Sequence, residues 1–168
     1  MPVEIFLIIG LIIVAAALFS LRYKSVNHDL PYEAQKYLLT PAEKLFFATL
    51  TPAVNGRYTV FAKVRIGDVL KVVSGVAARR SLIARAKIQQ KHFDFVLCNK
   101  SMEIVCCIEL NDRSHARSDR IKRDKFVRAA CHQAGVSLIE FQAQSSYDVK
   151  TVERRLLEVL EVNGRVQT

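Results

Sequence analysis

The pattern of apolar and polar residues begins with a long uncharged segment. Residues 5–21 contain no charged side chain. As a helix they would span roughly 26 Å at about 1.5 Å per residue, close to the roughly 30 Å hydrocarbon core of a bilayer. Glu4 precedes the segment and Arg22 and Lys24 follow it, so the positive-inside rule places the rest of the chain in the cytoplasm. We expect a single-pass inner-membrane anchor over residues 1–24, with a cleaved signal sequence or a buried core helix as the alternatives.

After a linker at residues 25–39, the pattern predicts one α/β domain over residues 40–168. Thr40-Pro41-Ala42-Glu43 has a capping residue, an N-terminal proline and a first-turn acid, as helix starts commonly do. Further along, apolar alternation predicts strands and helical spacing predicts helices. The strands are expected at 58–65, 92–98, 103–110 and 136–142, the helices from 40, over 117–134 and over 147–162, and a loop with a short helix at 69–87. Because an antiparallel meander is followed by a helical crossover, we expect a mixed sheet flanked by helices.

The second and third strands predict a β-hairpin with a four-residue loop at 100–103. In that register the numbers of paired residues sum to 203. Near the turn it places Cys98 opposite Val105 and Val96 opposite Cys107. At the open end it places Asp94 opposite Glu109 and His92 opposite Asn111, all on one face because side chains alternate. The other face of the first strand carries only core residues, namely Phe93, Phe95 and Leu97.

The facing carboxylates of Asp94 and Glu109 are the strongest candidates for chemistry. Directly opposed residues have Cβ atoms about 4.5–5.5 Å apart, so two ionised carboxylates there repel each other unless a positive group lies between them. A divalent cation is one such group, since Mg²⁺ takes one or two carboxylates and keeps several waters. Arginines of the same domain are another, and the residues alone leave both interpretations open.

The segment KHFDFVLCNKSMEIVCCIELNDRSH, at residues 91–115, resembles a bacterial family of unknown function in the restriction-endonuclease-like PD-(D/E)XK superfamily. It is similar also to the catalytic hairpin of very-short-patch-repair endonucleases. The resemblance continues through RIKRDKFVRAACHQAGVSLIEF at residues 120–141 and reaches back, more weakly, to residues 40–50. It implies a restriction-endonuclease-like fold and metal-dependent hydrolysis of nucleic-acid phosphodiester bonds, with Mg²⁺ or Mn²⁺ as the cofactor.

Carried over residue by residue, the resemblance implies a catalytic site at Asp94, Glu109, Asn111 and His115. Asp94 matches the metal-binding Asp of the superfamily, and Glu109 matches the acid of its second motif. Asn111 stands where the superfamily has a Lys that positions or activates the attacking water, and Asn cannot carry that charge. His115 is a candidate base or phosphate contact, or else an exposed loop residue. Asp112 is a candidate third metal ligand, or else a turn residue.

Two further charged residues lie close to this site in the sequence pattern. Lys91 is no substitute for the missing Lys, because it projects from the strand face opposite Asp94. Glu43, in the first helix, is a candidate further acid as in some members of the superfamily. A favourable interaction with the helix dipole is the alternative explanation for an acid in the first turn.

The domain is strongly basic. Without residues 1–21, whose only charged residue is Glu4, 25 basic and 15 acidic residues remain, a net charge of +10. Candidate nucleic-acid contacts follow the proposed metal site: Arg113, Arg117, Arg120 and Arg123. A second basic cluster lies upstream: Arg79, Arg80, Arg85, Lys87 and Lys91. Such clusters bind phosphate backbones or anionic lipid, or form a solvated face; we expect nucleic acid because the basic helix directly follows the acidic hairpin.

Other chemistries find no support in the sequence. The four cysteines include no C-x₂-C pair, which makes a zinc module improbable, and we expect them to be buried reduced thiols. Neither a P-loop nor a G-x-G-x-x-G motif is present. The sequence therefore predicts a membrane-tethered, metal-dependent nuclease. The alternatives are a non-catalytic nucleic-acid-binding module on a degenerate nuclease scaffold and a domain that interacts with the membrane surface.

Overall fold

The computed structural model describes residues 3–24, 30–111 and 118–162, except for the side chains of 21–24, 118–124 and 162. The chain divides into two compact units, residues 1–36 and residues 37–168. The first unit contains helix α1 (Val3–Lys24). Its window Val3–Ser20 has a mean hydropathy of 2.7 and buries none of its residues in the protein. That length and composition fit a membrane anchor, and a signal sequence near an N-terminus would share them.

The second unit is an α/β domain built on one four-stranded mixed sheet, as the sequence predicts. The strands are β1 (Thr59–Arg65), β2 (His92–Cys98), β3 (Ile104–Asn111) and β4 (Ser137–Gln142). The helices are α2 (Pro41–Val54), α3 (Ile66–Val69), α4 (Ala78–Gln89), α5 (Ser118–Gln133) and α6 (Val149–Val162). The strand order is β1-β2-β3-β4; the first three strands are antiparallel, and β4 is parallel to β3. A chain that leaves β3 and returns parallel to it needs a crossover, which contains α5.

Two apolar clusters lie on the two faces of the sheet. Helices α2 and α6 pack on one face, where the first cluster includes Phe46, Phe95 and Leu156. Helices α3, α4 and α5 pack on the other, where the second cluster includes Phe93 and Cys131. The sheet is thus buried on both sides, which explains why β2 and β3 read as nearly continuous apolar runs. All four cysteines are buried and free, which confirms the expectation of reduced thiols.

Helix α2 begins as predicted, with Thr40 as its N-cap. The Thr40 hydroxyl accepts a hydrogen bond from the Glu43 backbone N–H, and the Glu43 carboxylate accepts one from the Thr40 N–H. This reciprocal capping box satisfies two amides at the helix start. The apolar stripe differs in one residue from the spacing-based prediction: Phe46 and Leu50 are fully buried, whereas Leu45 is 39% exposed.

The predicted hairpin register is confirmed for three pairs and is wrong at the turn. Phe95 pairs with Ile108, Val96 with Cys107 and Leu97 with Cys106, as the sum of 203 requires. Cys98 pairs with Ile104 and not with Val105, because an irregularity between Leu97 and Cys98 shifts the ladder by one residue. A bulge of this kind, next to a turn, cannot be predicted from alternation, since it breaks the alternation itself.

In β1 and β2 the side chains switch from one face of the sheet to the other at the point where Lys63 lies across from Asp94. Ala62 pairs with Phe95 and both contact the first cluster; two residues on, Val64 pairs with Phe93 and both contact the second cluster. Residues two apart normally share a face. Lys63, between them, has φ +56°, in the left-handed region. The prediction that Phe93 shares a face with Phe95 and Leu97 is therefore wrong, because both strands switch sides at this point.

Candidate functional site

Three charged side chains from three different elements meet at this switch. The Lys63 ammonium of β1 donates to Glu43 Oε1 of α2 at 2.6 Å and to Asp94 Oδ1 of β2 at 3.4 Å. The side chains are mostly buried, with 29% of Lys63, 12% of Glu43 and 15% of Asp94 exposed. We call these residues the Glu43–Lys63–Asp94 triad. It holds two carboxylates around one ammonium, a formal charge of −1 when all three are ionised.

Local folding explains how each member of the triad is held in place. The capping box fixes the other oxygen of Glu43, since Oε2 accepts from the Thr40 N–H at 3.0 Å. Asp94 Oδ2 accepts from the backbone N–H of Leu110 at 2.9 Å, which ties it to β3. The left-handed backbone of Lys63 is rare for a residue with a long side chain. Such backbone conformations persist only where the surrounding structure imposes them, and they concentrate at functional sites.

The electrostatics of the triad differ from one member to the next. Burial would raise the pKa of Glu43, but hydrogen bonds from Lys63 and the Thr40 N–H outweigh it and lower that pKa. Burial would lower the pKa of Lys63, yet the hydrogen bond to Glu43 and the charge of Asp94 raise it. Lys63 is therefore a protonated donor at neutral pH, suited to stabilising negative charge and unsuited to accepting a proton.

Asp94 is the carboxyl group of the triad whose pKa is raised. Burial raises the pKa of Asp94, and the negative charge of Glu43 adds to the rise; the Leu110 N–H and Lys63 oppose the rise without cancelling it. A buried carboxylate with a raised pKa beside another carboxylate is an electrostatically costly arrangement. Such perturbed groups cluster at functional sites, although structural ion networks produce them too.

The structure places the other described candidates on β3. Glu109 lies one position beyond the Phe95–Ile108 pair, and its negative charge helps burial to raise the pKa of the Cys131 thiol to about 11. The charge of Glu109 is therefore felt on the side of the sheet that α5 covers. Asn111 donates through Nδ2 to Glu140 Oε1 at 3.0 Å, and Glu140 also forms an ion pair with Arg128 of α5. Asn111 is thus engaged with β4.

The remaining predicted site residues lie outside the described part of the protein. These are Asp112, Arg113, His115 and Arg117, together with the side chains of Arg120 and Arg123 in α5. Their predicted roles as metal ligand, base and nucleic-acid contacts stay predictions. The shared Asp94–Glu109 metal also stays a prediction.

The chemistry of the donor set allows a divalent cation at the triad, with limits. Within the described ranges, no three His, Cys, Asp or Glu side chains are grouped so that they could hold a metal ion. Glu43 and Asp94 supply two carboxylates that contact the same ammonium nitrogen. Mg²⁺ is commonly bound in this way, by one or two carboxylates with water and substrate phosphates completing its octahedron. In this structure each of the four oxygens of the pair already accepts a hydrogen bond within the protein, and two carboxylates do not make a metal cage of protein ligands alone.

Sequence reasoning missed Lys63. One sequence signal was available, since Lys63 is a single cation between Ala62 and Val64 in an otherwise apolar strand core. The pairing of Lys63 with Asp94 could not be predicted from the sequence in the same way. The register that sets Lys63 across from Asp94 joins strands separated by α3 and α4, and no tight turn fixes it.

A protein-family model matches residues 35–160 of the chain, three quarters of its length, and the family is described as a protein of unknown function. The chain belongs to the DUF2726 family. The match covers the whole of the sheet and the triad, so these features are part of the DUF2726 region itself.

One curated relative of this DUF2726 protein is an uncharacterized protein of Haemophilus influenzae. The two are 29% identical over 111 residues, which make up 64% of this chain and 55% of the relative. The chain thus spans about half the length of that relative. No solved structure matches the DUF2726 chain significantly.

Proposed function

We propose that this DUF2726 protein is a metal-dependent nuclease that hydrolyses phosphodiester bonds of nucleic acid, with a restriction-endonuclease-like domain tethered to the inner membrane. The cytoplasm is the proposed side of the domain, because Arg22 and Lys24 follow the apolar segment. The proposal joins the resemblance of the hairpin to PD-(D/E)XK enzymes with a sheet in which three antiparallel strands, a helix and a parallel strand follow one another.

The observation that carries the proposal is the convergence of Lys63 with Asp94 and Glu43. The resemblance requires a lysine beside the metal-binding Asp, and Asn111 cannot provide one. The Lys63 ammonium lies 3.4 Å from Asp94 Oδ1, so β1 would supply the missing cation from the strand on the other side of β2. Glu43 is the further acid that the resemblance allows from the first helix, and it contacts the same ammonium.

The triad residues would divide the chemistry between them. Asp94 and Glu43 would hold the cation, which when bound neutralises phosphate charge and lowers the pKa of an attacking water. Lys63, kept protonated by both carboxylates, would donate to a non-bridging phosphate oxygen or orient the water as negative charge develops. The basic residues of α5 would contact the phosphate backbone without reading its sequence.

The test is nicking of supercoiled plasmid, and cleavage of single-stranded RNA, by the purified full chain with Mg²⁺ or Mn²⁺. We expect metal-dependent turnover that falls about 10²–10³-fold in Asp94→Asn and in Lys63→Gln, the loss usual for one charge-stabilising group. Asp68→Asn is the matched control, because Asp68 is a half-exposed carboxylate paired with Arg65 outside the triad. Its activity should equal that of the wild type.

Two outcomes would contradict the nuclease proposal. Wild-type protein that cuts neither substrate with either metal is not a nuclease of this kind. If it nevertheless binds nucleic acid in a salt-sensitive manner, the alternative of a non-catalytic binding module is supported. Activity that persists undiminished in Asp94→Asn would place the reaction elsewhere in the chain.

A further inference from the structure

Helix α4 and the segment before it expose apolar side chains on the face of the sheet opposite α2. Val73 is 71% exposed, Leu82 70% and Ile83 51%. Of the twelve residues of α4, only Ile88 is buried. A helix that stays folded while burying one residue leaves its outer face without a partner in the described part of the chain, since helices in domains normally bury a full apolar stripe.

Val73 and Ile83 line a groove on the domain surface, between the segment at 70–76, α4 and α5, and Leu82 lies on α4 next to Ile83, outside the groove. Its volume is about 530 Å³, within the range of small-ligand sites. Apolar groups form most of its wall, among them Leu70, Val76, Ile83 and Phe126. The groove is therefore suited to an apolar chain or ring and not to a strongly hydrated ligand.

Basic residues surround this apolar surface. Lys71, Arg80 and Lys87 line the groove, and no acidic residue is among its described lining. Arg79 and Arg85 add to the charge, so α4 carries four cations and no acid. The Lys87 ammonium lies 5.6 Å from the centroid of the Phe126 ring, which places positive charge directly beside the apolar wall. The surface is complementary to a ligand with an anionic head and an apolar tail.

We propose that this surface, formed by residues 70–76 and α4, docks on anionic phospholipid of the membrane to which the chain is tethered. Lys71, Arg80 and Lys87 would contact the lipid phosphates while Leu82, Ile83 and Val73 enter the interface and an acyl segment fills the groove. A phosphate backbone would use the same cations but would leave the apolar residues uncovered in water. Surfaces that bind anionic membranes combine basic residues, which attract the lipid phosphates, with apolar residues that enter the interface.

The tether makes such docking effective even where each contact is weak. Helix α1 is long and apolar enough to cross a bilayer, and an anchor in the same chain keeps the domain at a high local concentration near the lipid. The inference rests on the anchor in the proposed function but not on nuclease activity. A protein without nuclease activity could therefore still dock on lipid, and a protein that does not dock on lipid could still be a nuclease.

The experiment uses the absence of tryptophan from the sequence. The full chain with Leu82→Trp is reconstituted in nanodiscs of neutral or anionic phospholipid, and its fluorescence is measured with brominated acyl chains as quenchers. We expect a blue-shifted emission and about twofold quenching in anionic discs only, since an interfacial helix inserts about 5–10 Å. Leu45→Trp is the matched control: Leu45 is an exposed leucine of α2 on the other face of the sheet, and it should stay unquenched.

Charge reversal completes the test. Arg79→Glu combined with Arg80→Glu should abolish the quenching of Leu82→Trp, whereas the same reversal at the exposed neighbours Arg154 and Arg155 of α6 should leave it unchanged. Equal signals in neutral and anionic discs, equal quenching of Leu45→Trp, or no effect of the α4 reversal would overturn the proposal. An emission shift on addition of duplex DNA, without quenching by anionic lipid, would identify a nucleic-acid surface and overturn it as well.

Discussion

The buried surroundings of Asp94 disfavour the charged form of its carboxyl group. Burial raises the pKa of its carboxyl even though Lys63 and the Leu110 N–H favour the ionised form. For an acid whose pKa is raised by folding, the contribution to stability is present below its ordinary pKa and is lost as the pH rises through the raised value. At neutral pH the ionised Asp94 therefore costs the folded state free energy. Such a cost is a frequent trade-off between stability and activity, and the proposed function assigns Asp94 a role that would account for it.

Asp94→Asn should therefore raise the thermal unfolding midpoint at pH 7 by a few degrees, the shift expected of about 1 kcal/mol in a domain of this size. Near pH 3.5 the difference from the wild type should vanish, because Asp94 is then protonated and neutral like Asn. Calorimetry of both proteins over this pH range is the measurement. A lower midpoint at pH 7 would mean that the carboxylate stabilises the fold and that the triad is structural. A stable Asp94→Asn protein also ensures that lost nuclease activity does not reflect unfolding.

Asn111→Lys tests which position supplies the working ammonium. Asn111 already donates to Glu140, which also pairs with Arg128, so a lysine there would be drawn to the same carboxylate. We expect plasmid nicking by Asn111→Lys at or below the wild-type rate, and no rescue of Lys63→Gln by the double substitution. Rescue would show that the reaction needs its lysine on β3, as in the superfamily pattern, and that Lys63 has no catalytic part.

At the scale of elements, the start of α2 joins helix stability to the site. The same Glu43 carboxylate caps the helix through Oε2 and contacts Lys63 through Oε1. The sequence predicts this helix start correctly, because a capping box is a local motif with a fixed spacing. It does not reveal that the box also holds an acid against β1.

Thr40→Ala should lower the free energy of unfolding by about 1 kcal/mol, the usual value of an N-cap hydroxyl. It should change the proposed nuclease activity little, because the hydrogen bond that fixes the Glu43 carboxylate comes from the Thr40 backbone N–H, which alanine keeps. Thr51→Ala is the control, since the exposed Thr51 hydroxyl only donates to the Phe47 carbonyl within the same helix. Urea unfolding and plasmid nicking of both variants provide the comparison. Equal losses in the two variants would contradict a special role of the capping box.

The β2–β3 hairpin shows how much of a strand pairing can be predicted from the alternation of buried and exposed residues. Most of β2 and β3, and three of their pairs, follow from period-two burial and a short loop. The turn and the open end do not follow, because a bulge at Leu97–Cys98 and a left-handed residue at Lys63 break the period. A lysine with positive φ has no sequence signature; the surrounding structure imposes that conformation. The sequence therefore singles out Asp94 as a candidate but does not reveal Lys63 as its cationic partner.

At the scale of the molecule, order along the chain indicates the mixed sheet but not the assignment of helices to its faces. Helices α2 and α6 bring Glu43 to the face where the triad forms, while α4 and α5 carry basic residues on the other. The assignment depends on long-range packing between elements that composition does not encode. One consequence is a domain with an acidic site on one side and an apolar, basic groove on the other.

The most direct test of the account is titration of the purified full chain with Mn²⁺ by calorimetry at pH 7. Wild-type protein should bind the ion, Asp94→Asn and Glu43→Gln should each bind it at least about tenfold more weakly, a loss of about 1.4 kcal/mol, and Asp68→Asn should bind it like the wild type. A wild-type protein that binds no Mn²⁺, or variants of Glu43 and Asp94 that bind it undiminished, would contradict the claim that this triad is a metal-dependent active site.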